Sequence, residues 1–122
     1  MLIKILVVDD SVSDRLFITN MLSEYCVLTA SDGVEAMRVL EEHDGINLLI
    51  LDLHMPNMNG FQVLEAIKEK ERYQKLRTII MTSSDELENE IKALKLGAID
   101  FFRKPINDDL FKARINLHVT LI

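Results

Sequence analysis

The sequence predicts one α/β domain in which helices cover both faces of a parallel sheet. Short apolar runs alternate with longer segments whose apolar residues recur at helical spacing, five of each. The connections between them are short and rich in Asp, Asn, Gly and Ser. This alternation is typical of α/β folds with a parallel sheet. Since crossovers between parallel strands are right-handed, we expect a five-stranded sheet with the order 2-1-3-4-5.

Five apolar runs predict the strands, and they cover residues 3–8, 25–29, 47–51, 77–81 and 98–102. The third run, NLLIL, is almost wholly apolar, which is typical of a strand buried on both faces. The runs stop at polar or turn-forming residues, so they are too short and too sharply bounded to be buried helices.

The segments between the strands predict five helices. Ser11 is a favourable N-cap for the first helix, and Gly97 fits the position just after the fourth. The predicted helices cover residues 12–23, 34–43, 59–72, 85–96 and 107–122. The apolar faces expected to pack on the sheet consist of Phe17, Ile18, Met21 and Leu22 in the first, Ala36, Met37 and Leu40 in the second, Phe61, Val63, Leu64 and Ile67 in the third, and Leu87, Ile91 and Leu94 in the fourth.

Composition and charge narrow the range of functions. The 122 residues suffice for one domain, and 48% hydrophobic with 28% charged residues is an ordinary globular mixture. The formal charge of −6 argues against direct nucleic-acid binding. We expect no membrane span, which needs roughly 20 apolar residues, and no signal peptide. The single Cys26 excludes an internal disulfide, and we expect it to be buried in a cytoplasmic protein.

Five polar residues follow four of the predicted strands. Asp9 and Asp10 come after the first strand, Asp52 after the third, Thr82 after the fourth and Lys104 close after the fifth. Because the carboxyl ends of parallel strands lie at one edge of the sheet, where ligands bind in such folds, we expect these side chains to converge. Each of these residues alone could be an ordinary turn or capping residue. It is improbable that all of them occur at corresponding strand ends by chance.

Three carboxylates and one lysine leave this predicted edge with excess negative charge. Two like charges about 4 Å apart repel by about 4 kcal/mol at an effective dielectric constant of about 20. Either one carboxyl group keeps its proton or a divalent cation binds. Hard oxygen ligands suit Mg²⁺, with Mn²⁺ as an alternative, and Mg²⁺ often shares its ligand shell with phosphate. Beside such a cation, Asp52 can attack a phosphoryl donor, and Thr82 and Lys104 would bind the phosphoryl oxygens.

The last predicted helix has apolar residues on two faces. One stripe is enough to cover a sheet, so a second predicts contact with a further partner. We expect either a domain excised from a longer protein, whose helix continues toward an output domain, or a helix used for self-association. The first stripe consists of Leu110, Ala113, Leu117 and Leu121, and the second of Phe111, Ile115, Val119 and Ile122.

Five motifs resemble one known family, the receiver domain of two-component response regulators. They are VVDD at 7–10, ASDGVEAMRVL at 30–40, LILDLHMPNMNG at 49–60, IIMTSSDE at 79–86 and GAIDFFRKP at 97–105. The likeness extends over essentially all of residues 1–122. It implies a flavodoxin-like, CheY-like sandwich that forms one receiver domain. With the two apolar stripes of the last helix, the expectation is a receiver excised from a longer chain with a C-terminal output domain.

The resemblance implies a role for each residue at the strand ends. Asp52 is similar to the phosphoacceptor of the family, and Thr82 and Lys104 to the residues that bind its phosphoryl group. Asp10 and Asp52 correspond to direct ligands of Mg²⁺ or Mn²⁺. Asp9 corresponds to the carboxylate that acts on the metal through water.

Further roles follow from the same resemblance. The backbone carbonyl of His54 would be a third metal ligand, and the side chains of His54 and Ser84 occupy positions that tune loss of the phosphoryl group. A loop histidine whose side chain has no role is the alternative for His54. Phe101 corresponds to the aromatic residue that switches together with Thr82. The Lys104–Pro105 peptide bond is expected to be cis.

The function implied is a phosphorylation-dependent signalling switch rather than an enzyme. The expected partners are a sensor histidine kinase or a histidine phosphotransfer protein, and an output domain or downstream effector. Charges on the fourth helix and fifth strand could pair across a phosphorylation-dependent homodimer or form an ordinary solvated surface. The alternatives are a stand-alone regulator, a Mg²⁺-dependent phosphatase of the haloacid-dehalogenase type and a nucleotide-binding module. His54 stands where that phosphatase family has a second Asp, and no glycine-rich loop follows the first strand.

Overall fold

The computed structural model describes residues 2–83 and 86–122 and contains a five-stranded parallel sheet. The strands are β1 (Lys4–Val8), β2 (Cys26–Ala30), β3 (Leu48–Asp52), β4 (Arg77–Thr82) and β5 (Asp100–Arg103). They lie in the order β2-β1-β3-β4-β5, and each neighbouring pair is parallel. The predicted fold class and strand order are therefore confirmed.

Helices connect the strands and cover both faces of the sheet. They are α1 (Val12–Met21), α2 (Gly33–Glu42), α3 (Gly60–Lys68), α4 (Leu87–Lys95) and α5 (Asp108–Thr120). The third helix ends before the predicted boundary at residue 72, because a separate 3₁₀ turn occupies Glu71–Tyr73. The predicted start of the fourth helix at Asp85 lies outside the described residues. Within the described ranges, no helix is both long and apolar enough to cross a membrane.

Two hydrophobic clusters lie on opposite faces of the sheet. Because successive side chains of a strand alternate between faces, Leu49 and Leu51 enter one cluster, whereas Leu48 and Ile50 enter the other. Residues of α2, α3 and α4 complete the first cluster, and residues of α1 and α5 complete the second. Strand β3 is buried along its whole length, as its apolar run predicted.

The helical faces differ from the prediction in α1 and α4. Phe17 was expected to pack inward, but it is exposed, and Ile18 is the buried residue of α1. In α4, the buried residue is Ala93, whose small side chain allows the helix backbone to approach the sheet. The predicted stripe of α4 points away from the sheet and is exposed, and its members are Leu87, Ile91 and Leu94. Helical spacing identifies an apolar stripe but does not say which side meets the sheet.

Helix α5 places its second apolar stripe on the sheet. Phe111 and Ile115 are fully buried, and the Phe111 ring meets Phe102 of β5 edge-on at a centroid distance of 5.1 Å. All four members of the first stripe are exposed: Leu110, Ala113, Leu117 and Leu121. Ile122, the last member of the second stripe, is also exposed. Cys26 is partly exposed rather than buried, because it begins the edge strand β2.

Candidate functional site

The register of the sheet brings the predicted polar residues to one edge. Asp52 ends β3 and pairs with Met81, so Thr82 at the end of β4 lies one residue further along that edge. Asp9 directly follows β1, whose last residue pairs with the residue before Asp52. The backbone N–H of Lys104 donates to the carbonyl of Thr82 at 2.8 Å. Four strands therefore position these residues with little freedom.

Lys104 is the centre of the site. Its Nζ lies 2.7 Å from Asp9 Oδ2, 2.9 Å from Asp14 Oδ2 and 3.3 Å from Asp52 Oδ2. Burial alone would lower the pKa of this amine, but its hydrogen bonds to Asp9 and Asp14 raise the pKa above its ordinary value. The lysine is therefore a permanent cation that links three carboxylates.

Asp52 is a buried carboxyl group with an unusual protonation equilibrium. Its residue surface is 5% exposed. Burial raises the pKa of Asp52 from 3.8 to about 6, the charge of Lys104 opposes the rise, and the charge of Asp9 adds to it. The backbone N–H of His54 donates to Asp52 Oδ1 at 3.3 Å. Near neutral pH, Asp52 is therefore mostly ionised, although its carboxylate is poorly hydrated.

Three carboxylates at this edge form a cluster that can hold a metal ion. Asp9, Asp10 and Asp52 each offer an oxygen atom, and these atoms lie within 4.8 Å of one another. Asp9 and Asp52 are buried, whereas Asp10 is exposed. An all-oxygen set with an open side suits Mg²⁺ or Mn²⁺, which keep some of their water ligands. The residues present therefore fit the expected cation.

The loop after β3 is bonded to the start of α2 and passes close to the backbone of Asp52. The N–H of Gly33, at the start of α2, donates to the carbonyl of Met58 at 3.1 Å. Asn57 adopts a positive φ of 66°, and its side chain donates to Asp32 at 2.9 Å. A Cβ atom at Gly60 would lie 2.5 Å from the carbonyl oxygen of Asp52. This loop can therefore approach the strand only because residue 60 is glycine.

The remaining predicted site residues differ in burial. The residue His54 is exposed. Phe101 is buried in the cluster that also contains Ala93 of α4. The Lys104–Pro105 peptide bond is cis. Ser84 lies outside the described residues.

Two residues of α1 belong to the site but were not foreseen. Asp14 binds Lys104, and the Arg15 guanidinium donates to the backbone carbonyl of Asp9 at 2.7 Å. Asp14 lies in the first turn of α1, close to the edge of the sheet that carries Lys104. No local sequence pattern specifies this contact, because it depends on how α1 is oriented over the sheet edge.

The fold and the site together define a single α/β domain with an acidic, lysine-containing site at the carboxyl edge of its sheet. The sequence pattern described as the response regulator receiver domain matches residues 5–116. The chain belongs to this family, which the motifs of the sequence had indicated.

Individual relatives agree with this assignment. A chemotaxis protein CheY homolog from Campylobacter jejuni is 33% identical over 115 residues, which cover 92% of this chain and 88% of that protein. A solved receiver domain from Clostridium thermocellum is 34% identical, with a TM-score of 0.86, over 98% of this chain and 95% of that one. A probable cyclic di-GMP phosphodiesterase from Vibrio cholerae is 33% identical over 94% of this chain, which spans only 26% of that relative.

Proposed function

We propose that this receiver domain is switched by transfer of a phosphoryl group to Asp52. The observation that carries the proposal is the meeting of Asp9, Asp52 and Lys104, which are remote in sequence, within hydrogen-bond distance. A buried carboxylate beside a fixed cation and two further carboxylates is costly for a fold to maintain. A site that accepts a phosphoryl group together with a divalent cation explains why such a cluster is present.

The chemistry proposed for this site is an in-line displacement at phosphorus. An Asp52 carboxylate oxygen attacks the donor, the bond between phosphorus and the leaving group breaks, and the leaving group departs with that electron pair. The Lys104 ammonium offsets negative charge on the transferred group, and the Thr82 hydroxyl donates to one of its oxygens. Asp9, Asp10, Asp52 and the backbone carbonyl of His54 would hold Mg²⁺, directly or through water. When bound, the cation neutralises charge on the incoming phosphoryl group.

The proposed switch links Asp52 to the surface made by α4, β5 and α5. A phosphoryl group adds about −1.5 to −2 charges and strong acceptor oxygens. Movement of Thr82 toward these oxygens would free space that Phe101 can fill, because both residues lie in the neighbouring strands β4 and β5. The result is a shift between two packings of the same chain. His54 and Ser84 are proposed to tune how long the phosphoryl group remains.

The proposed phosphoryl donor is a histidine kinase or a histidine phosphotransfer protein. The proposed output contact is the surface of α4, β5 and α5. The long Vibrio cholerae relative and the short Campylobacter jejuni relative illustrate two arrangements, a receiver within a longer protein and one that makes up most of its protein. Leu110 and Leu117 of α5, and Leu121 just after it, are exposed and suit an apolar contact with either an output domain or a separate effector.

The decisive experiment is an intact mass measurement after incubation with acetyl phosphate and Mg²⁺. We expect the parent protein to gain one phosphoryl group and Asp52→Asn to gain none. A chelator should abolish the gain in the parent. A gain in both proteins would show that another residue is modified, and an unmodified parent that also resists a panel of histidine kinases would refute the proposal.

A further inference from the structure

We propose that Asp14 is a positioning residue that holds the Lys104 ammonium group in the resting site and releases it when Asp52 is phosphorylated. The inference rests on the proposed function of that site. Asp14 belongs to α1, and it is not a member of the carboxylate cluster that can hold a metal. Its Oδ2 nevertheless lies 2.9 Å from Lys104 Nζ, which is the distance of a direct charge-assisted hydrogen bond.

The Lys104 ammonium group has no spare donor in this arrangement. A lysine ammonium carries three N–H bonds. Asp9, Asp14 and Asp52 supply acceptors at 2.7, 2.9 and 3.3 Å. Phosphorylation turns the Asp52 carboxylate into an acyl phosphate, so the 3.3 Å bond from Lys104 to Asp52 passes to the phosphoryl group. Closer approach of Lys104 to the phosphoryl oxygens then requires one of its two other carboxylates, Asp9 or Asp14, to give up its bond.

The degree of burial indicates which bond is given up. The side chain of Asp9 is 0% exposed and that of Asp52 is 8% exposed, whereas the side chain of Asp14 is 45% exposed. A buried carboxylate that loses its partner finds no water to replace it, and this loss is costly. Asp14 can turn toward solvent and be hydrated. The Asp14–Lys104 ion pair is therefore the contact that opens.

The negative charge of Asp14 also favours opening of the Asp14–Lys104 ion pair when Asp52 is phosphorylated. A phosphoryl group brings additional negative charge to a site that already holds Asp9, Asp10 and Asp52. Asp14 adds a fourth carboxylate to this site, repels the added charge and competes for the Lys104 ammonium group. Asp14 therefore biases the site toward the resting state, and loss of its carboxylate should favour the phosphorylated state.

The test is calorimetric titration with beryllofluoride, a noncovalent analogue of the phosphoryl group, at a fixed Mg²⁺ concentration. A half-exposed ion pair of this kind predicts a dissociation constant about two- to fivefold lower for Asp14→Asn than for the parent. Asp14→Glu keeps a carboxylate and should return toward the parent value. Glu24→Gln makes the same change in net charge beyond the far end of α1 and should leave the affinity unchanged.

A second readout separates positioning from a general effect of charge. In ¹⁵N spectra recorded without Mg²⁺ or beryllofluoride, the Lys104 ammonium resonance should shift or broaden in Asp14→Asn and not in Glu24→Gln. An unchanged resonance, or an affinity no greater than that of the parent, would overturn the inference while the proposed function stands. A parent protein that binds no beryllofluoride would overturn the proposed function, and this inference with it.

Discussion

Replacement of Asp52 by Asn should stabilise the fold at neutral pH, although it removes the proposed phosphoacceptor. In the folded protein, burial raises the pKa of Asp52 from 3.8 to about 6. At a pH between 3.8 and about 6, the Asp52 carboxyl group keeps its proton in the folded protein but has released it in the unfolded chain. The free energy of unfolding therefore falls as the pH rises through this range. Asn resembles the protonated carboxyl group and does not ionise, so the free energy of unfolding of Asp52→Asn should not fall over this pH range.

The size of the effect follows from the same pKa. A rise from 3.8 to about 6 corresponds to about 3 kcal/mol against the charged form in the folded state. Asn recovers only part of this. One Asp52 oxygen accepts from the His54 backbone and the other from Lys104, so the amide NH₂ must face one of these donors. We expect a net gain of about 1–2 kcal/mol above pH 7, or about 3–8 °C in Tm.

Thermal unfolding followed by circular dichroism, in chelator and without divalent cations, measures this gain. Parent and Asp52→Asn should unfold at similar temperatures near pH 4 and diverge as the pH rises to 7.5. Glu24→Gln, a substitution that removes an exposed charge, should follow the parent throughout. The reasoning would be refuted if Asp52→Asn were no more stable than the parent at pH 7.5, or if the gap between them did not change with pH.

Three further predictions concern the close approach at Gly60, the buried face of α5 and the N-cap of α3. Gly60→Ala forces a Cβ atom against the Asp52 carbonyl, and urea unfolding should show a loss of about 1–3 kcal/mol; parent-like stability would contradict the close approach. In the same assay, Phe111→Ala should lower the free energy of unfolding by about 3–5 kcal/mol, because Phe111 is buried. Leu110→Ala, at an exposed position, should change it by no more than about 0.5 kcal/mol, and equal losses would mean that the buried face of α5 is assigned wrongly. Asn59→Ala removes the capping box of α3 and should cost about 1 kcal/mol, whereas Asn59→Asp should retain most of the stability in thermal unfolding.

The strands could be predicted because burial on both faces leaves an almost unbroken apolar run. The run NLLIL predicted a strand at 47–51, and β3 covers Leu48–Asp52, so Asp52 is the last residue of the strand at the sheet edge. Parallel pairing then required the other strand ends to lie on the same edge. The meeting of Asp9, Asp52 and Lys104 follows from this rule, which needs no knowledge of side-chain conformation.

The helix faces were harder to predict because an apolar stripe has two possible explanations. In α4, the stripe that contains Leu87 and Ile91 faces away from the sheet, and Ala93 packs against it. In α5, both stripes are apolar, and only packing decides that Phe111 lies inside. The contact between Asp14 and Lys104 depends on how α1 is oriented over the sheet edge, which no local pattern specifies.

The site combines charges that are fixed with charges that can move. Asp9 and Asp52 are buried and held at the ends of paired strands, so they cannot turn away from each other. Lys104 lies just beyond β5, and Asp14 is half exposed in the first turn of α1. A change of charge at Asp52 must therefore be absorbed by Lys104 and its contacts rather than by the strands. Lys104 bonds to Asp14 of α1 and directly follows β5 in the chain. Phosphorylation of Asp52 should therefore change the contacts of both α1 and β5.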